Sequence, residues 1–176
     1  GAYKLAGDSI DWWGGINAIQ AEGNSSIHPA GRVALILQGN SDDQLQDLFQ
    51  VNLFGGLEER LPKWFTDQDW KVTVSYIQTK LFGDDTKKYL SDCEMQNVKI
   101  KVSAPEMASM EMLHLVPKGQ SFDEAMKIME GLTTLRPKLV QELLEKCNSV
   151  KVKRLFLYMA GKCQHLWLEE LDPTRL

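Results

Sequence analysis

Residues 149–163, SVKVKRLFLYMAGKC, decide the fold of the carboxy-terminal third of the chain. Val150 and Val152 alternate with lysines, as in a strand. A strand over residues 150–158 would, however, have to switch its inward face between Lys153 and Leu155. A helix, at about 100° per residue, avoids that switch because it places the apolar positions on one continuous arc. Those positions are Val152, Leu155, Phe156, Met159 and Cys163. The stretch therefore predicts an amphipathic helix.

The same helical spacing predicts a basic stripe on the opposite side of that helix. Lys151, Arg154, Tyr158 and Lys162 follow one another at intervals of three, four and four residues, which places them on one face. Such a stripe can bind an anionic partner, either a protein surface or DNA, with the tyrosine as a rigid amphipathic contact. It can equally be a solvated helix face, because three cations are not by themselves a DNA-binding signature. The sequence leaves both interpretations open.

Further helices are predicted from capping signals. Ser103 and Glu106, and again Ser121 and Glu124, have the spacing of a capping box, and Pro137 is placed to open a third helix. Near the amino terminus, Asp8 or Ser9 can cap a helix that contains Trp12, Ile16 and Ile19 and ends at Gly23. The segment PAGRVALILQG (29–39) predicts a second one, with Pro29 in its first turn.

Three segments alternate or cluster apolar residues as strands do: residues 51–54, 71–77 and 97–103. We expect them to be half-buried and antiparallel. Together with the helices they predict an α+β fold in which a small mixed β-sheet is flanked by helices, with a helical carboxy-terminal half. No fixed-period repeat or low-complexity linker divides the chain, so a single domain over residues 1–176 is expected.

Composition excludes several classes of protein. The 176 residues carry a formal charge of −4, which argues against non-specific nucleic-acid binding by the chain as a whole. The three cysteines, Cys93, Cys147 and Cys163, are too few and too scattered for a disulfide framework. No apolar run is long enough to span a bilayer. We therefore expect free thiols, a cytoplasmic location and no membrane association.

One enzymatic alternative is a metal-dependent nucleotidyltransferase. Such enzymes carry a pair of small residues after a strand and then two carboxylates, two residues apart, that hold divalent metal ions. Gly55 and Gly56 followed by Asp67 and Asp69 approach this pattern. Gln68, between the acids, is polar where an apolar residue is expected, so exposed acids in a turn are the simpler interpretation. Two isolated pairs, Cys163 with His165 and Glu111 with His114, lack the further ligands that a metal site needs.

Several runs together resemble the AbiEi-type antitoxins of type IV toxin–antitoxin systems, which act in bacterial abortive infection. These runs are DWWGGINAIQ (11–20), IHPAGRVALILQG (27–39), VNLFGG with RLPKWF (51–65), VSAPEMASMEML (102–113) and the long segment 115–172. The resemblance covers nearly the whole chain. The last run is the most specific, because it spans three predicted helices without a gap.

The resemblance implies a function that the motifs do not. Family members bind promoter DNA through an amino-terminal winged helix-turn-helix, while a carboxy-terminal domain counters a nucleotidyltransferase-type toxin. The present chain looks like that second domain, with residues 1–7 as the remnant of a preceding wing. We therefore expect a non-enzymatic antitoxin domain of an autorepressor, without cofactor or metal. Its expected partners are the cognate toxin and, through the winged-helix domain absent here, promoter DNA.

Overall fold

A computed structural model describes residues 11–41 and 45–176. It shows the expected mixed α+β fold, whose carboxy-terminal half is helical. The helices are α1 (Trp12–Ala21), α2 (Gly31–Leu37), α3 (Lys63–Thr66), α4 (Pro105–His114), α5 (Phe122–Glu130), α6 (Pro137–Lys146) and α7 (Val150–Lys162). The strands are β1 (His28–Pro29), β2 (Gln50–Gly55), β3 (Thr73–Gln78), β4 (Leu90–Met95) and β5 (Val98–Ser103).

The first sheet corrects the prediction that all the strands are antiparallel. β1 pairs with β2 antiparallel, but β2 pairs with β3 in parallel, with Gln50 opposite Thr73 and Gly55 opposite Gln78. Residues 56–72, which include α3, make the crossover that a parallel pair requires. Alternation of apolar and polar residues shows only that one face of a strand is exposed to solvent. It therefore carries no information on the direction of the neighbouring strand.

The second sheet is the β4–β5 hairpin, of which the sequence predicted only β5. Gln96 and Asn97 form its two-residue turn, both with positive φ (46° and 68°), as the tight primed hairpin turns require. Asp92 and Glu94 lie on the exposed face of β4, whereas Cys93 and Met95 are buried. The strand was missed because acidic residues are uncommon in strands and its apolar positions are few.

The amino-terminal helices form as predicted but with different beginnings. α1 starts after Asp11 and buries Trp12, Ile16 and Ile19. The proposed caps Asp8 and Ser9, and the segment 1–7, lie outside the described residues. Pro29 belongs to β1 and not to the first turn of α2, which begins at Gly31. Gly31 has a φ of +59°, where a side chain would be strained.

Helix α4 lies at the centre of the core. Every residue from Glu106 to Leu113 is buried, and α4 packs on α2, α5, α6, α7 and β5. The predicted capping box at its start is wrong. Ala104 occupies the N-cap position, and the Ser103 hydroxyl donates to the Pro29 carbonyl at 3.5 Å. Glu106 is instead used for a long-range contact with Arg136.

The Glu106–Arg136 pair joins α4 to the start of α6. Arg136 Nε donates to Glu106 Oε1 at 2.8 Å, and the Arg136 backbone N–H donates to the same oxygen at 3.0 Å. Burial alone raises the pKa of Glu106, but the hydrogen bonds and charge of Arg136 outweigh it, so that pKa lies below its ordinary value. Glu106 is therefore ionised at neutral pH. The guanidinium remains largely in solvent, with a side chain 64% exposed.

Helices α5 and α6 agree with the prediction, whereas the short helix α3 was not predicted. The Ser121 hydroxyl accepts the Glu124 N–H at 3.1 Å and caps α5, which buries Ala125, Ile128 and Met129. Pro137 opens α6. The three cysteines are free thiols, as expected. Within the described ranges, no helix has the length and apolarity that crossing a membrane requires.

A buried ion pair, His28–Glu111, ties the amino-terminal part of the chain to α4. His28 Nε2 lies 2.9 Å from Glu111 Oε2, and both side chains are almost inaccessible, at 4% and 2%. His28 Nδ1 lies 2.6 Å from the Ser26 carbonyl, which can only accept, so Nδ1 carries a proton. The other Glu111 oxygen accepts the Gly31 N–H at 3.3 Å.

The charge state of this pair follows from its surroundings. Burial is the largest effect and lowers the pKa of His28, but the attraction and hydrogen bond of Glu111, with smaller contributions, outweigh it. The net result is a pKa raised above 6.5. A protonated His28 then donates from both ring nitrogens, one proton to the Ser26 carbonyl and one to the Glu111 carboxylate. The polar atoms of this buried pair are thus satisfied.

Glu111→Ala should lower the free energy of unfolding by about 3–5 kcal/mol, because it leaves His28 buried without its carboxylate. Urea unfolding followed by circular dichroism at pH 6 measures this. Glu130→Ala, which removes an exposed glutamate at the end of α5, is the matched control and should change the free energy by less than about 0.5 kcal/mol. Equal effects of the two substitutions would show that the buried pair contributes no stability.

Candidate functional site

Helix α7 is built as its sequence predicts. The Ser149 hydroxyl accepts the Val152 N–H at 3.2 Å and caps the first turn. Val152, Phe156 and Met159 are fully buried, and the Phe156 ring lies 5.6 Å from that of Trp167, which is also buried. These contacts fix the rotation of the helix about its axis. They therefore fix which side chains it presents to solvent.

The structure places all four members of the predicted basic stripe on the exposed face of α7. Lys151, Arg154, Tyr158 and Lys162 are each exposed, and Tyr158 is 53% accessible. Lys162 Nζ lies 5.7 Å from the centre of the Tyr158 ring, within the range of a cation–π contact. The face is therefore a continuous surface that combines positive charge with one aromatic ring.

Lys151 differs from the other cations because its ammonium group is already bound. Nζ donates to the carbonyl oxygens of His114 and Val116, each at 2.8 Å. These carbonyls lie at the carboxyl end of α4, where a positive charge is favourable. Burial, followed by the charge of Lys151, lowers the pKa of His114, so this histidine is neutral. Lys151 thus holds α7 against α4, a role that the sequence did not reveal.

Arg154 and Lys162 have no comparable attachment. Neither forms an ion pair with a carboxylate in the ranges 11–41 and 45–176. Their charges are available to a partner together with the tyrosine between them. We call Arg154, Tyr158 and Lys162 the α7 surface.

The alternative site at Gly55 and Gly56 has a packing explanation. A Cβ on Gly55 would collide with the hydroxyl end of Tyr76, whose O–H donates to the Glu59 carbonyl at 2.5 Å. Gly56 donates its N–H to the Ser26 hydroxyl at 3.0 Å. The glycine at position 55 therefore makes room for a tyrosine of the neighbouring strand. That requirement is independent of any bound nucleotide.

The segment that follows the glycine pair folds back and contacts the chain at Ser25 and Ser26. Glu59 accepts hydrogen bonds from the hydroxyls of Ser25 and Ser26 and from the Ser26 N–H at 3.0 Å. Burial alone raises the pKa of Glu59, but these hydrogen bonds outweigh it, so the pKa is lowered. A cleft of about 660 Å³ lies here, lined in part by Gly56, Glu59 and Lys80.

Asp67 and Asp69 are not part of that cleft. Both are exposed, and they lie between α3 and β3, where Asp69 Oδ1 accepts the Lys71 N–H at 2.9 Å. The structure therefore does not bring the glycine pair and the two carboxylates together around one cavity. In the described part of the chain, no group of three or more His, Cys, Asp or Glu side chains could hold a metal ion.

Glu111 and His165, which the sequence offered as metal ligands in two isolated pairs, contact other groups. Glu111 binds His28 and not His114. The His165 ring nitrogen Nε2 lies 2.6 Å from the Met129 carbonyl, and the ring stacks on Trp167. The His28–Glu111 pair itself was missed because its members are 83 residues apart. No local spacing could have indicated it.

Comparison with known protein families shows the family of the chain. Residues 49–176, more than two thirds of it, match the family model described as a transcriptional regulator, AbiEi antitoxin, of type IV toxin–antitoxin systems. The chain belongs to the AbiEi antitoxin family. This match includes α7 and the helices that position it, and it confirms the resemblance found in the sequence.

Comparison with solved structures supports the fold. The crystal structure of the RV2827C protein from Mycobacterium tuberculosis superposes with a TM-score of 0.60 at 13% sequence identity. The match covers 93% of the AbiEi chain and 59% of the mycobacterial chain. At this identity the similarity shows a shared fold alone. No curated protein matches the chain.

The two kinds of cation on α7 should differ in their effect on stability. Lys151→Met should lower the free energy of unfolding by about 1 kcal/mol, because two carbonyls at the end of α4 lose a charged donor. Arg154→Met on the same helix should change it by less than about 0.5 kcal/mol. Thermal and urea unfolding of the two variants measures the difference, and equal values would refute the structural role of Lys151.

Proposed function

We propose that this chain is a single antitoxin effector domain of a type IV toxin–antitoxin system, and that it neutralises a cognate nucleotidyltransferase-type toxin without being an enzyme. It acts in the cytoplasm as part of a transcriptional autorepressor, which binds its promoter through a winged-helix domain. The observation that carries the proposal is the match of residues 49–176 to the AbiEi antitoxin family. Family members are antitoxins and generally non-enzymatic.

The α7 surface is the part of the domain that we propose contacts the partner. Its two cations have no intramolecular ion pair in the described residues, so a partner's anionic groups need not displace an existing contact. Arginine and tyrosine are enriched in protein interfaces because they combine area with polar groups. The packing of Phe156 and Met159 fixes the helix backbone, so binding has to order only the exposed side chains.

Lys151 belongs to the same stripe but acts indirectly in this proposal. Its ammonium group is bound to the end of α4 and sets the position of the first turn of α7. It adds positive potential to the stripe, while Arg154 and Lys162 provide the direct contacts.

Co-expression of the chain with its cognate toxin tests the function directly. The wild-type chain should restore growth of cells that express the toxin. Arg154→Glu combined with Lys162→Glu should restore it less well, since two attractive contacts become repulsive. The matched control is Lys63→Glu with Lys99→Glu, which makes the same change in net charge at two exposed positions outside α7. This control should protect as well as the wild type.

Failure of the wild-type chain to restore growth would contradict the assignment of the antitoxin activity to this domain. Equal protection by both double variants would leave that assignment intact and remove the α7 surface from it. Immunoblotting establishes equal expression. Binding to promoter DNA, measured for the protein with its winged-helix domain at two salt concentrations, then separates a toxin contact from a DNA contact. If α7 contacts DNA, loss of the two cations should reduce the salt dependence of promoter binding.

A further inference from the structure

The open edges of the two sheets are protected against pairing with other strands in different ways. An edge strand exposes unpaired backbone groups and can bind a strand from another molecule, so proteins usually block it. β1, the edge next to β2, is only two residues long, is buried and ends in a proline, which lacks an N–H. It offers no place for an additional strand.

The β5 edge is covered by side chains of α1 that imitate a neighbouring strand. Gln20 Nε2 donates to the Lys101 carbonyl at 2.9 Å, and Gln20 Oε1 accepts the Lys101 N–H at 2.8 Å. Asn17 Nδ2 donates to the Lys99 carbonyl, also at 2.9 Å. The Lys101 N–H and the carbonyls of Lys99 and Lys101, which β5 would offer to another strand, are therefore occupied from within the chain.

The β4 edge is protected by charge. The Ala104 N–H donates to the Tyr89 carbonyl, so the backbone groups of Tyr89 point towards β5. The direction of the backbone groups alternates along a strand, so those of Leu90, Asp92 and Glu94 point away from β5. The Asp92 and Glu94 side chains are exposed. Asp92 forms an ion pair with Lys101 of β5 at 2.6 Å. Charged side chains on an edge strand disfavour pairing with a second copy of that strand.

Among the residues that the structure describes, none protects the outer edge of β3 in one of these ways. The N–H groups of Thr73 and Thr79 donate to the carbonyls of Phe49 and Gly55, on the side of β2. The direction of the backbone groups alternates along the strand, so those of Val74, Tyr76 and Gln78 point away from β2. Those outward groups form no hydrogen bond with any residue that the structure describes. None of the six residues of β3 is buried, whereas five of the six in β2 are.

The sequence of this edge also favours pairing. Residues 72–79, VTVSYIQT, contain no charge and no proline and are rich in β-branched and aromatic side chains. The strand is held rigid from one face. Tyr76 donates its hydroxyl to the Glu59 carbonyl, and the Gln78 amide donates to the carbonyls of Leu57 and Glu59 at 3.0 and 2.7 Å. Little ordering remains to be done when another strand pairs with it.

We propose that the outer edge of β3 pairs antiparallel with β3 of a second copy of this chain about a two-fold axis. The axis passes near the middle of the strand, and the two three-stranded sheets join into one of six strands. The uncharged run is complementary to itself, since it places no like charges opposite one another within 72–79. Isologous contacts of this kind close at two subunits and leave no open edge on β3.

Light scattering coupled to size-exclusion chromatography tests the proposal on the 176-residue chain. The wild type should have twice the 20.0 kDa mass of one chain at high protein concentration. Ser75→Lys, which puts a charge in the middle of β3, should elute as a monomer. Ser91→Lys is the matched control, because Ser91 is also half-exposed and lies in the edge strand β4. This variant should remain dimeric, and circular dichroism should show all three proteins to be folded.

Amide hydrogen exchange on the wild type is independent of any substitution. The outward amides of Val74, Tyr76 and Gln78 should exchange more slowly as the protein concentration rises, while those of Leu90, Asp92 and Glu94 should not change. A monomeric wild type up to roughly 1 mM, or a dimeric Ser75→Lys variant, would overturn the proposal. A monomeric wild type whose capture of the toxin is lost in Ser75→Lys would also overturn it and assign the β3 edge to the partner protein.

Discussion

The burial of two carboxylates in one helix is the constraint on which the rest of the structure depends. α4 lies at the centre of the core, so Glu106 and Glu111 both need a partner, because an unpaired buried charge costs several kcal/mol. Arg136 reaches Glu106 from the surface and keeps most of its own hydration. His28 meets Glu111 with both groups almost inaccessible. The first pair fixes the start of α6, and the second fixes β1 and the beginning of α2.

The proposed functional surface depends on this core through α7. The helix packs on α4 by its apolar face, and Lys151 binds the carbonyls at the end of α4. Because the position of α7 is set by α4, the α7 surface is presented by a rigid scaffold and not by a loop. A rigid helix face of this kind suits the contact with a partner that is proposed above. It also explains how an acidic chain can offer a local cationic surface.

Local signals in the sequence predicted α5, α6 and α7 well. The apolar arc of α7, the Ser121 cap and Pro137 each act within one or two turns of helix, so neighbouring residues suffice to identify them. What could not be predicted depends on distant partners. The parallel direction of β3 follows from the crossover through α3. Glu106 was predicted to cap a helix, but it forms an ion pair because Arg136 lies beside it. Spacing alone predicted the four-residue stripe on α7, but the hydrogen bonds that bind Lys151 could not be predicted, because they depend on where α4 ends.

The pH dependence of unfolding tests most directly whether the buried pair is charged and organises the fold. A group whose pKa is raised by folding stabilises the folded state most at pH values below its pKa in the unfolded chain. This contribution is lost as the pH rises through its pKa in the folded state. The difference in free energy of unfolding between wild type and the double variant His28→Gln/Glu111→Gln, which removes the carboxylate together with the imidazole, should therefore be largest below about pH 6.5. It should fall above that pH, by up to about 1.4 kcal/mol per pH unit, until the folded pKa is passed. A difference that does not vary with pH, or that grows as pH rises, would contradict a protonated His28 bound to Glu111.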